Sequence, residues 1–101
     1  MNVTLDEFQI KTAHGVFMTV TGIINEEQLF GVFVNFGQVD VIHLASCSRI
    51  STANGFQTLA GAFSFIDMIY PIKNWADSVI QFSVSERDQM IAAYEEALSK
   101  E

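Results

Sequence analysis

The stretch NGFQTLAGAFSFIDMIYP, residues 54–71, decides the reading of this chain. Phe56, Leu59, Ala60, Phe63, Ile66 and Tyr70 recur at steps of three and four, the period of one helical face. Asn54 is a favourable N-cap with Gln57 three residues on, and Pro71 cannot continue a helical ladder, so the spacing predicts a helix ending near Tyr70. The opposite side carries Gln57, Thr58, Gly61 and Ser64, but also Phe65 and Met68. A helix apolar on both sides needs cover on both sides.

Working back toward the N-terminus, the pattern changes to period two. Phe8, Ile10 and Thr12 alternate with Gln9 and Lys11, and a phase change after Val3 and Leu5 suggests a bulge. Thr4 and Glu7 also spell a capping box, but the alternation favours a strand. His14-Gly15 makes a tight turn. Val16, Met18, Val20 and Ile24 then share one face, and Phe17, Thr19, Thr21 and Ile23 the other. Asn25-Glu26-Glu27 is a polar turn, followed by a run with Phe30, Val32, Val34 and Phe36 on one face and Phe33 on the reverse. Gly37 supplies another turn, and 39–46 reads as a fourth strand. Turns this close together join antiparallel hairpins, not parallel crossovers.

Beyond the central helix, residues 71–77 form a loop with Trp75 as its anchor. Ile80, Phe82 and Val84 alternate and are read as a short fifth strand. A terminal helix follows, capped by Ser85 with Asp88 and striped by Met90, Ile91, Tyr94, Ala97 and Leu98. The expected fold is one α+β domain over residues 1–101. A four- or five-stranded, mostly antiparallel sheet, built on an N-terminal meander, carries one long central helix and a C-terminal helix packed on it.

Composition narrows the function classes. Twelve acidic residues against five basic give −7, with no basic cluster to neutralise phosphates, so neither direct nucleic-acid binding nor anionic-membrane binding is expected. Cys47 is the only cysteine, so no internal disulfide forms, and with no basic, apolar leader at the N-terminus a cytoplasmic location is expected. The longest uncharged run, 50–66, is too short and too polar for a membrane span.

Chemistry-bearing spacings are sparse. Cys47 and His43 lie four apart; on a continuing strand that is about 13 Å, beyond nucleophile–base reach. Asp40 and His43 fall on opposite faces of a strand, and no metal-ligand spacing is present. Glu26-Glu27 and Glu95-Glu96 read as solvated pairs, and Gly55 and Gly61 lack the Lys of a phosphate loop. Asp67, at the edge of the helical stripe, is the carboxylate placed to have a shifted pKa. No catalytic residue, cofactor or metal is assigned.

Half the residues are apolar, nine are Phe and only 17% are charged, more oily surface than one small domain readily hides. The leading expectation is therefore a non-enzymatic, acidic protein–protein interaction domain that self-associates as a homodimer, through Phe65 and Met68 or through Phe17 and Phe33. One alternative is a carrier holding a small apolar ligand between sheet and helix, near Phe30, Phe63, Tyr70, Asp67 and His43. The other is an acidic inhibitor that mimics nucleic acid toward a partner with a basic surface.

Overall fold

Five strands follow one another in a meander, each antiparallel to the strand before it, in the order β1-β2-β3-β4-β5. They are β1 (Val3–Lys11), β2 (Phe17–Asn25), β3 (Phe30–Asn35), β4 (Gln38–His43) and β5 (Ser48–Arg49). Two helices complete the chain, α1 (Leu59–Ile69), continued by a 3-10 turn over Tyr70–Ile72, and α2 (Val84–Ser99). The computed structural model describes residues 3–25, 27–51 and 54–101, and for Val3 the backbone alone. Among these no helix is long and apolar enough to cross a membrane. The architecture is α+β.

The strand period divides the apolar residues between two cores. Phe30, Val32, Val39 and Val41 point to the helix side, where they meet Ala62, Phe65, Ile66 and Ile69 of α1 and Met90, Ala93 and Ala97 of α2. Phe8, Ile10, Phe33 and Ile42 fill the other side, with Val20, Ile24 and Leu44 packed around them. This second core exists because the sheet curls. β1 pairs with β2 without interruption from Val3↔Asn25 to Lys11↔Phe17, so the phase change near Leu5 marks no bulge; Leu5 simply faces outward. At the far end of that hairpin the Lys11 N–H donates to the Cys47 carbonyl at 2.7 Å, bringing β1 round to the start of β5.

Gly22 makes the curl sterically feasible. A Cβ there would stand 2.3 Å from the Val32 carbonyl oxygen, so only a bare backbone fits where β2 crosses β3. Pairing between these two strands covers only Asn25↔Phe30 to Ile23↔Val32. The remainder of β2 leans over the inner face.

The helices are rotated and shifted relative to the sequence reading. Gly55 takes a left-handed φ of 54°, and Phe56 bridges Val39 of β4, so residues 55–56 run along the sheet edge and are lost to the helix. Thr58, not Asn54, is the N-cap, accepting from the Gly61 N–H at 3.0 Å. Glu101 Oε1 accepts from the backbone N–H groups of Gln57 and Thr58, satisfying donors at that helix start. With this start, positions 62, 65, 66 and 69 face the sheet and α2, while Leu59, Ala60 and Tyr70 are exposed. At the other end Trp75, buried as the anchor of its loop, donates from Nε1 to the carbonyls of Ile69 and Tyr70.

Two further sequence expectations give way. Residues 78–83 form no strand; Phe82 packs its ring on Trp75, and Lys73 Nζ lies over the Phe82 ring. The fifth strand is the short β5 instead, and with Phe56 it occupies the edge of β4. α2 starts one turn earlier than its reading: Ser83 and Glu86 form the capping box, replacing Ser85 and Asp88. Its buried stripe is Met90, Ala93 and Ala97, with Ile91 and Leu98 exposed.

Candidate functional site

The candidate site is a cleft of about 450 Å³ on the inner, concave side of the sheet. Ile10, Met18, Phe33 and Ile42 supply apolar walls; Lys11, Arg49 and Asp40 supply charge; Thr12, Ala13, Asn35 and Ser48 complete the lining. Each strand contributes for a local reason. On β4, Val39 and Val41 face the helices, so Asp40 and Ile42 between and after them must face inward. Phe33 is the cross-strand partner of Asp40, and Arg49 is that of Ile42, which sets Arg49 diagonal to Asp40.

Asp40 is the unusual member. Its side chain is 1% exposed. Oδ1 accepts from Gln38 Nε2 at 2.8 Å, and the Gly55 backbone lies so close that a Cβ there would come within 2.7 Å of the same oxygen. Oδ2 is buried and, among the described residues, receives no hydrogen bond. The nearest cation, Arg49 Nη1, is 3.8 Å away, too far for a hydrogen bond. Lys11 forms no ion pair among the described residues.

The residues singled out from sequence are distributed differently. Phe65 is 1% exposed and Met68 packs against the same core, so neither offers an interface. Phe65 touches Phe56 and Tyr94, the latter from α2, because the helix is turned inward on that side. Phe33 is likewise buried, edge-on to Phe8 with ring centroids 6.4 Å apart. Phe17 alone of the four is open to solvent.

The cavity proposed between sheet and helix is filled. Phe30 is fully buried with Trp75 at 5.0 Å and His43 at 5.9 Å between ring centroids. His43 is enclosed too: Nε2 donates to the Trp75 carbonyl and Nδ1 pairs with the Ser46 hydroxyl at 2.7 Å. Both ring nitrogens are thus spent on structure, tying β4 to the loop behind α1. Phe63 is half-buried, Tyr70 exposed, and Asp67 is exposed, accepting from Gln28 Nε2 at 3.0 Å. Cys47 sits in the turn after β4 with its sulfur 3.7 Å from the Leu44 carbonyl. None of His43, Cys47 or Asp67 lines the cleft, and no two of them share a partner.

The sequence reading missed the cleft residues. The available signal was Asp40 itself, a charged residue in mid-strand between two valines; strand period correctly separated it from His43, but nothing local reveals that β1 folds over it. Glu26 of the acidic pair lies outside the described residues, and Glu27, Glu95 and Glu96 are exposed. Among the described residues no three His, Cys, Asp or Glu side chains gather where a metal would bind. No family model matches the chain, and no curated protein and no solved structure matches it.

Proposed function

We propose that this is an interaction domain that pairs with a second copy of itself through the end of the sheet bearing the β1–β2 and β3–β4 hairpin tips. The observation that carries it is Phe36. It occupies the first position of a two-residue turn between the paired Asn35 and Gln38, with φ of 50°, followed by Gly37 at 79°. Positive φ at both positions is the type I′ pattern, which favours Asn-Gly; a bulky aromatic there is strained by about 1–2 kcal/mol. This Phe is also fully exposed. A residue that is strained where it sits and buries nothing is retained for something outside the protomer.

Its surroundings fit a contact between copies. Val34 on the same hairpin and Val16 and Phe17 on the other are exposed. Met18 and Asn35, lining one cleft, set the two tips on either side of its mouth. Residues 12–25 and 28–39 contain no Asp, Glu, Lys or Arg, although the chain carries −7. Two acidic protomers repel least where both are uncharged, so this end is where an isologous contact forms with least electrostatic penalty. Sedimentation velocity at micromolar concentration tests the proposal. The native chain runs as a dimer and Phe17→Asp runs as a monomer with an unchanged circular dichroism spectrum; a native chain that is monomeric throughout overturns it.

A further inference from the structure

We propose that the concave cleft binds a small zwitterion, an apolar α-amino acid, with its ammonium on Asp40 and its carboxylate between Arg49 and Lys11. A buried carboxylate is unfavourable unless donors surround it, and nearly all buried polar atoms in folded proteins have one. Asp40 Oδ2 has none among the described residues. The vacant partner must be a donor, and an ammonium fits best because it also answers the charge.

A lone cation does not fit the rest of the site. Arg49 stands 3.8 Å from Oδ2 without a hydrogen bond, and its side chain is 43% exposed; Lys11 lines the same cleft on the opposite strand pair. These are two of the chain's five basic residues, converging on one opening in a protein of net charge −7. An amine alone leaves both without a counter-charge and adds a third positive group. An anion alone leaves Oδ2 without a donor. A molecule carrying ammonium and carboxylate on neighbouring atoms satisfies both ends, since Asp40 and Arg49 are themselves neighbours. Phe33, Ile42 and Met18 then receive the apolar side chain, in a volume within the range of small-molecule sites.

The test titrates L-leucine into the ¹⁵N-labelled protein and follows amide shifts, with isoamylamine (no carboxylate) and 4-methylpentanoate (no amine) as half-ligands. Leucine shifts the amides of residues 33, 40, 42 and 49, and each half-ligand binds at least about tenfold more weakly, as loss of a charged hydrogen bond requires. Arg49→Met lowers leucine affinity by a similar factor with its melting temperature unchanged. Asp40→Asn does the same, and the exposed Arg49 variant remains decisive if the buried one fails to fold. Half-ligands that match leucine, Arg49→Met that binds normally, or no shift at about 10 mM leucine, weaker than specific sites of this size achieve, overturns the proposal. Phe17→Asp leaves the cleft lining intact, so titrating that variant separates this result from the fate of the dimer.

Discussion

Replacing Gly22 by Ala probes the point on which the curl of the sheet depends. The backbone there is not in the left-handed region, so glycine is required for room and not for conformation. The added methyl would lie 2.3 Å from the Val32 carbonyl oxygen, 2.9 Å from Phe33 Cβ and 2.9 Å from Phe8 Cε1. Two of the three obstacles are backbone or backbone-attached, so they cannot rotate away. Restoring ordinary contact moves β2 off β3 by about 1 Å and lifts Phe8 from its seat in the inner core. Overpacking of this kind costs about 3 kcal/mol, the upper end of its usual range. For a chain of this length that is a fall in melting temperature of roughly 15–20 °C. Urea unfolding followed by Trp75 fluorescence measures it, since that ring is buried in the native state. Gly15→Ala is the control: its φ is +76° and a Cβ meets nothing within 4 Å, so only about 1 kcal/mol of left-handed strain is lost. If Gly22→Ala is no more destabilising than Gly15→Ala, the close crossing is not what bends the sheet.

Other substitutions test other links. Phe36→Asn places the preferred residue in a type I′ turn, so the monomer gains about 1 kcal/mol in urea unfolding while self-association weakens; a loss of monomer stability contradicts the strain argument. Phe65→Ala opens a cavity between α1, α2 and Phe56 and costs about 3–5 kcal/mol, whereas a change below about 1 kcal/mol would mean the ring is not core. Glu86 has its pKa held below the ordinary 4.5, chiefly by the backbone N–H of Ser83 and then by Lys73. A depressed carboxylate stabilises the fold at pH above its unfolded value and loses that contribution as pH falls through the folded one. The melting temperatures of the native chain and Glu86→Gln therefore converge as pH drops below 4.5, and a difference that is constant with pH removes the charge from the cap.

Much of the sheet was legible because strand alternation and turn chemistry are local. The turns at Gly15 and Gly37 and the buried faces of β3 and β4 follow from period two. The helix face was not legible for an equally physical reason. Leu59, Ala60 and Tyr70 are as oily as Ala62, Phe65 and Ile69, so composition does not choose between sides; tertiary pairing of Phe56 with Val39 sets the start and hence the phase. Once that start moves, Phe65 leaves the surface and the expected interface leaves with it. The cleft was hidden for a different reason. Lys11, Asp40 and Arg49 are distant in sequence and meet only through the curl that Gly22 permits.

The order of the strands also bears on how the molecule comes into being. Every hairpin partner is the segment synthesised just before it, so the sheet can zip up progressively as the chain emerges, with short loops and little search. The last segment made is the lid for Phe56 and Phe65: Tyr94 of α2 lies against both rings. Until α2 arrives, a nascent chain displays an aromatic shelf to every other chain nearby, and this brief window is where a chaperone would have most to protect.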